Sequence, residues 1–371
     1  MRRILAVAIV AAVAAGALGG LAAVEGAPAK AVRTFDLLEL LLETPGVSGH
    51  EGPVREAIVG LLPSWAREAS RVDEKGNLLV AAGQGGKRLL FVAHMDEIGY
   101  EIASIEPDGT ARVRSRGGFF NTLFEGHAVV VKTKSGDRQA TVRPREDYLA
   151  GTVEGGALVD TKVIVDFGTG AAPETEALGV APGDPLTIPK KFRRLAGEMG
   201  SGRSVDDRAG CTALVEAVRR LDPRRLKNRI IFAWSVEEEI GLLGAEAIAR
   251  ESSFEVVFAV DTFVSSDSPL ERKGFALGVL GRGPVVRAID NSNLAPPLLV
   301  DRVHRIAMGR GIPLQVGLTR GGNDGSVFTP FGAADVPISW PTIYSHSPVE
   351  VVHEGDLRNL GRLVAALAES W

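Results

Sequence analysis

The sequence predicts an α/β protein: a mostly parallel sheet with helices on both faces, interrupted by a small inserted β module. Three observations carry that expectation. Short, wholly apolar runs at residues 89–93, 230–234 and 256–260 alternate with segments of helical period, the texture of buried parallel strands between helices. From about residue 105 to 189 the helical period fades and short strands alternate with turns. Acids and histidines cluster just beyond the apolar runs, on both sides of that interruption.

In chain order, Leu37, Leu38, Leu41 and Leu42 give one helix, stopped by Pro45-Gly46, and Val54, Ile58, Leu61 and Leu62 give a second. Residues 73–80 read as a turn into a strand, and residues 89–93 as a buried strand ending at His94. The inserted module carries strand-like stretches at 111–113, 128–132, 139–142 and 163–166, with a turn at Gly183-Asp184-Pro185. Beyond Arg193, Cys211, Leu214, Val218 and Leu221 mark a helix, and residues 242–249 and 298–306 mark two more. Strands are expected at 230–234, 256–260, 314–318 and 338–340, and Leu357, Leu360, Val364 and Leu367 close the chain as an amphipathic helix. The expected division is catalytic α/β domain at 34–104 and 193–371, with the β module at 105–192.

The 371 residues suffice for this plan, and 45% hydrophobic with 24% charged is an ordinary globular balance. A formal net charge of -4 leaves no basic excess to displace counterions from phosphates, which argues against nucleic acid as a partner class. The single cysteine, Cys211, permits no intrachain disulfide and sits on the apolar side of a helix, where packing rather than nucleophilic chemistry is expected. Met1-Arg2-Arg3, the uncharged Ala-rich run from Ile4 to Val24 and small-residue exits at Gly20-Leu21-Ala22 and Ala27-Pro28-Ala29 form the pattern of a signal peptide over residues 1–29. Export to the periplasm or outside is the expectation, with an uncleaved membrane anchor as its rival, because about 20 apolar residues can span a bilayer.

The polar clusters are His94 with Asp96, Asp206-Asp207, Glu237-Glu238-Glu239, Asp261 and His346. In an open α/β sheet the ligand crevice lies outside the carboxyl ends of the strands, so clusters far apart in sequence converge there. Histidine nitrogens and carboxylate oxygens suit a zinc-like divalent centre. One site would take His94, Asp206 and Asp261, the other Asp206, Glu239 and His346, with Asp206 shared through its two oxygens. Asp96 would accept the other ring N–H of His94, and Glu238 would serve as general base. Each cluster has a plainer reading. Asp206-Asp207 could cap the following helix, and three consecutive glutamates could be a solvated helix start. His50, His127, His304 and His353 lack partners at ligand spacing and are expected to be structural or exposed, while the loop Gly321–Gly325 is either a pocket wall or a plain turn. No nucleophile elbow, phosphate loop or dinucleotide fingerprint stands in a supporting context.

Taken in order, Thr44-Pro45-Gly46-Val47-Ser48-Gly49, His94-Met95-Asp96-Glu97-Ile98-Gly99, Asp206-Asp207-Arg208, Val236-Glu237-Glu238-Glu239-Ile240-Gly241 and His346-Ser347-Pro348-Val349-Glu350 form a set. From about residue 35 to 367 the chain resembles the M42 family of metallo-aminopeptidases, the glutamyl and tetrahedral aminopeptidase group of two-metal exopeptidases. The resemblance implies a zinc-exopeptidase-type catalytic domain interrupted by a PDZ-like domain, two zinc or cobalt ions, and removal of N-terminal residues from peptides with a free N-terminus. It implies His94, Asp206, Glu239, Asp261 and His346 as ligands, a metal-bridging hydroxide activated by Glu238, and a cis Asp206–Asp207 peptide bond. It further implies a homo-oligomer, the dodecamer being frequent among relatives. The chain departs from the family pattern at Asn323 and Gly325, where Thr and Ala are usual, at Ile343, where Arg is common, and in its leader-like start, which the mostly cytosolic relatives do not share. The alternatives are a related two-metal deacylase or carboxypeptidase, or an inactive peptide-binding homologue. The last would have lost a ligand or the base, and all six positions are present.

Overall fold

The computed structural model describes residues 33–144, 163–269 and 277–371. The leader-like segment at 1–29 lies outside them, and among the described residues no helix is long and apolar enough to cross a membrane.

The apolar runs become the middle of a nine-stranded sheet, in the order Ser70–Val72, Leu78–Ala82, Arg229–Ser235, Arg88–His94, Val256–Val264, Ile338–Thr342, Val285–Ile289, Gln315–Leu318, with Ala334–Asp335 paired beside Val256–Val264. Arg88–His94 runs parallel to Arg229–Ser235 on one side and Val256–Val264 on the other, and Val256–Val264 runs parallel to Ile338–Thr342. Alternate residues explain why these runs are apolar without a break. Leu89, Phe91, Ala93, Phe232, Trp234, Phe258 and Val260 pack into the larger core, whereas Leu90, Val92, Ala233, Val257 and Ala259 pack into a second core on the opposite face. Phe91 stacks between Phe232 and Phe258, with ring centroids 5.4 and 4.7 Å away. Helices Thr34–Glu43, Val205–Arg220 and Glu354–Ser370 cover the first face; Leu243–Glu251 and the short helix Asp324–Phe331 cover the second.

The change of texture is a closed antiparallel barrel of strands Gly99–Ile105, Ala111–Arg116, Ile164–Asp166, Gly136–Val142, Ala128–Thr133 and Pro185–Thr187, with a core of its own around Tyr100, Phe124, Val131 and Val165. Its first strand begins at Gly99, ahead of the expected start at about 105, and residues 99–102 are all buried and so carry no signal of alternation.

Three elements differ from the sequence reading. The strand expected to stop at Val260 continues to Val264, since Asp261 to Val264 pair with Ser339 to Thr342; Asp261 therefore lies within a strand instead of after it. Strand Val285–Ile289 was hidden by Arg287, a buried guanidinium in an otherwise apolar stretch. A small sheet of Arg193–Arg194, Met199–Gly202 and Glu350–His353, too short and glycine-rich for a pattern, joins the approach to Asp206 to the segment after His346.

Candidate metal centre

Parallel strands end on one side of the sheet, and there the separate clusters meet. His94 is the last residue of its strand and Glu237–Glu239 follow Arg229–Ser235 in the neighbouring strand. Asp261 comes from the next strand, and His346 from the loop beyond Ile338–Thr342. Asp206 arrives from the start of the Val205–Arg220 segment, where Asp206 and Asp207 keep non-helical backbone angles and are joined by a cis peptide bond. Ser204, Glu237, Tyr344 and His346 hold left-handed φ values of 67, 53, 63 and 60°, uncommon for non-glycine residues and grouped around this one place.

The two adjacent aspartates take different tasks. Asp207 is the cap: its carboxylate accepts the N–H of Gly210 at 3.0 Å and that of His94 at 3.0 Å. Asp206 is left to face the cluster. Its Oδ1 lies 3.3 Å from His94 Nε2 and its Oδ2 lies 3.5 Å from His346 Nε2. His346 Nε2 is also 3.5 Å from Glu239 Oε1, and His94 Nε2 is 3.9 Å from Glu238 Oε2. The sets His94–Asp206–Asp261 and Asp206–Glu239–His346 each bring one ligand atom per residue within 4.8 Å of the others, as does His94–Glu238–Glu239.

These spacings fit a divalent ion of zinc type. Two atoms each about 2.0–2.1 Å from one tetrahedral ion stand roughly 3.3–3.4 Å apart, and Asp206 lies 3.3 Å from one histidine and 3.5 Å from the other. Among the described residues, buried Glu239 Oε1 has no hydrogen-bond partner, which is how an oxygen reserved for a cation presents itself. The electrostatics agree. Burial, reinforced by Asp206 and opposed by His346, pushes Glu239 up to about 7, and burial raises Glu238 and Asp261. Burial works against charge on His94, yet Glu238, Asp206 and Asp96 outweigh it and hold the ring well above its usual value; Glu239 and Asp206 do the same for His346. For Asp206 the two histidines outweigh burial and hold the carboxyl below its usual range. A cluster that draws both histidines toward charge and Glu238, Glu239 and Asp261 toward neutrality is short of positive charge.

Asp96 is fully buried and accepts from Ser48 Oγ at 2.6 Å and from the backbone N–H groups of Glu238 and Glu239 at 3.0 and 3.1 Å. Its Oδ1 is 3.4 Å from His94 Nδ1, close but without a well-formed hydrogen bond. Glu237 turns away to Lys75, 2.7 Å distant. Of the other histidines, His127 and His304 are exposed, His353 caps the last helix by accepting from Gly355 N, and His50 lies 4.0 Å from Glu101. Cys211 is buried, its thiol facing the His94 carbonyl at 3.1 Å.

Sequence reasoning missed several supports. Glu350, in a quoted motif but given no role, is buried and accepts the N–H groups of Asp206 at 3.2 Å and His346 at 2.8 Å; burial, with Asp206, pushes it up to about 8. Asp324, in the loop read as pocket wall or turn, is buried behind the cluster and accepts from Ser235 Oγ. Arg287 reaches the carbonyls of Gly322 and Thr262 and lies 3.8 Å from Asp261. No pattern marks such residues, because each makes sense only against partners far away in sequence. The cluster opens into a cavity of about 690 Å³ whose walls include Phe119, Phe120 and Leu123 from the barrel and Tyr344 and Val349 from the α/β part.

Fold and cluster together define a class: an α/β protein with a mostly parallel sheet and a carboxylate–histidine centre at the strand ends. The comparisons specify it. The profile of M42 glutamyl aminopeptidases matches residues 76–363. The lysyl aminopeptidase of Pyrococcus furiosus is 31% identical over 343 residues, 90% of this chain and 96% of that one. The TET1 peptidase of Pyrococcus horikoshii, which can assemble into a tetrahedron or a large octahedral shell, superposes with a TM-score of 0.83 at 35% identity, over 91% of this chain and 100% of that one. An aminopeptidase from Desulfurococcus kamchatkensis gives a TM-score of 0.84 at 29% identity, covering 91% of this chain and 95% of that one. The chain belongs to the M42 family of peptidases. It is a metal-dependent aminopeptidase, a hydrolase of peptides.

These findings correct the expectation of export or membrane anchoring. The relatives are TET and M42 aminopeptidases, the mostly cytosolic group, and the grounds for export lay wholly in residues 1–29, outside the described residues. A basic start followed by apolar alanines has a leader's composition, and composition alone does not establish export.

Proposed function

We propose that the protein removes N-terminal residues from peptides at a two-metal centre. His94, Asp206 and Asp261 would hold one divalent ion, and Asp206, Glu239 and His346 the other. The observation that carries this reading is the position of Asp206, whose two oxygens face two different histidines at 3.3 and 3.5 Å. Such ions supply Lewis-acid chemistry, polarising a carbonyl and acidifying water. Histidine with carboxylate favours zinc, and cobalt shares the preference.

Glu238 is the proposed base. Its carboxylate lines the cavity beside His94, and its backbone is fixed by Asp96, so Oε2 is placed to take a proton from the attacking water and return it to the departing amine. Asp96 orients His94 from behind. The family match sets aside the deacylase and carboxypeptidase alternatives, and the retention of all six positions sets aside an inactive homologue. We read the barrel, with its helix Ala172–Ala177, as a PDZ-like module that begins at its first strand, Gly99–Ile105, and runs to about 192, and the segments 34–98 and 193–371 as the catalytic domain. The dodecameric TET1 neighbour makes a homo-oligomer, with twelve subunits as the form to look for, our reading of the assembly.

The test is Glu238→Gln. Metal content should stay at two ions per chain while cleavage of aminoacyl-nitroanilides falls by about three orders of magnitude or more. Unchanged turnover would remove Glu238 from the role, and cleavage of N-blocked peptides by the native protein would remove the aminopeptidase reading.

A further inference from the structure

The two clusters that share Asp206 are not supported alike. His94 ends a core strand, its side chain only 3% exposed, between Asp96 and Asp206, and its backbone is tied to Asp207. Asp261 lies inside a strand, against Thr262 N and Arg287. All of that support comes from the α/β part. His346 instead sits in a loop, its side chain 36% exposed, and its own part of the chain holds it through the bond from its N–H to Glu350.

Its imidazole is held from the barrel. His346 Nδ1 lies 2.5 Å from the carbonyl oxygen of Gly118, in the loop that follows strand Ala111–Arg116. A carbonyl only accepts, so the ring donates from Nδ1 and keeps the Nε2 lone pair toward Asp206 and Glu239. The preceding residue meets the other member of the same cluster: Gly117, at φ 109°, is packed so closely that a Cβ there would stand 3.3 Å from Glu239 Cβ and 2.5 Å from Ile98 Cγ2. The loop is braced within the barrel by the bond from Tyr100 O–H to Asn121 at 2.9 Å and by edge-on or tilted contacts of Phe119 with Tyr100 and Phe124, 5.1 and 4.6 Å between centroids.

We infer that the inserted barrel is a positioning element for one cluster only: loop 117–119 sets the affinity of Asp206–Glu239–His346 for its divalent ion, and His94–Asp206–Asp261 is independent of it. The inference rests on the two-metal reading. Groups that orient a metal-binding imidazole typically govern about 10–100-fold in affinity.

The experiment is a titration of the metal-stripped full chain with Zn²⁺ alone, followed by calorimetry and by metal content after gel filtration. The native chain, Gly117→Ala and Tyr100→Phe are compared. Gly117→Ala displaces the loop; Tyr100→Phe removes one brace and keeps the ring, so it decides the matter if the first variant does not fold. The expected result is two binding events in the native chain, one of which keeps its affinity in the variants. The other weakens about 10–100-fold in Gly117→Ala and several-fold in Tyr100→Phe. Equal weakening of both events, or no change in either, overturns the inference. A native chain that binds fewer than two ions overturns the two-metal reading instead, and the two failures are told apart by the native titration alone.

Discussion

Asp207 Oδ2 accepts the backbone N–H of His94 at 3.0 Å, so the residue beside the proposed bridge fixes the strand end that carries a proposed ligand. Its other oxygen accepts from Gly210 and starts the helix. Asp207→Ala would leave two buried donors unpaired, each costing about 1–3 kcal/mol. Chemical denaturation of the metal-free protein should show a loss of about 2–5 kcal/mol, and metal content should fall because His94 is no longer anchored. A variant with native stability would show that water replaces the carboxylate.

Asp96 collects three donors, Ser48 Oγ and the N–H groups of Glu238 and Glu239, and so ties the loop of the proposed base to the His94 strand. Asp96→Asn keeps the size and loses acceptor capacity beside His94 Nδ1. Zinc affinity is expected to drop about 10–100-fold and turnover to fall even when zinc is saturating, because Glu238 shifts as well. Calorimetry with Zn²⁺ and saturating-metal kinetics separate the two effects.

Glu97 is buried where the chain enters the barrel, and Lys190 is buried where it leaves. One carboxylate faces Lys190, Arg203 at 3.4 Å and Arg208 at 3.6 Å, and it accepts the N–H of Gly46 at 2.8 Å. Burial alone would raise Glu97, but the three cations outweigh it and hold the carboxyl at about 2. Burial likewise holds Lys190 well below its usual value, so desolvation opposes charge on both partners of the pair. A folded value below the unfolded one means stability that is complete above about pH 4.5 and is lost as pH falls toward 2, worth about 3 kcal/mol. Glu97→Gln should be less stable at pH 7 by about 3–5 kcal/mol and should show a flatter acid limb between pH 4.5 and 2. Urea unfolding across that range checks both.

The sequence made the central strands legible because both faces of the sheet are covered, so Leu89 to Ala93 and Val256 to Val260 stay apolar at every position. It made His94, Glu238, Glu239, Asp261 and His346 legible because they follow or interrupt such runs, and Asp206 through the company of those clusters; the structure brings all six together. It could not divide the labour within Asp206-Asp207, since capping and cluster-facing are distinguished by backbone angles and not by residue type. Glu97, Arg203, Arg208 and Arg287 were invisible as core residues because a charge in a sequence reads as surface until its partners are placed. Gly118 acts through its carbonyl, which no side-chain pattern can report.

Gly210 ties the cap to the sheet by having no side chain. A Cβ there would stand 2.3 Å from Asp207 Oδ1, 2.6 Å from its Oδ2 and 2.7 Å from the carbonyl oxygen of Val260, the residue before Asp261. Two of these contacts are with a carboxylate already committed to His94 and Gly210 itself, and the third is with central-strand backbone, so no neighbour can give way freely. Gly210→Ala gains about 1 kcal/mol of helix propensity and should still lose about 2–3 kcal/mol net, because overpacking against fixed atoms outweighs it. The displacement moves Asp207 and the Val260–Asp261 backbone together, so zinc affinity at the His94–Asp206–Asp261 cluster should fall. Denaturation midpoints of the metal-free variant and its zinc titration read these effects separately. A variant as stable as the native protein with unchanged zinc binding would show that the helix can withdraw from the sheet at no cost to the centre.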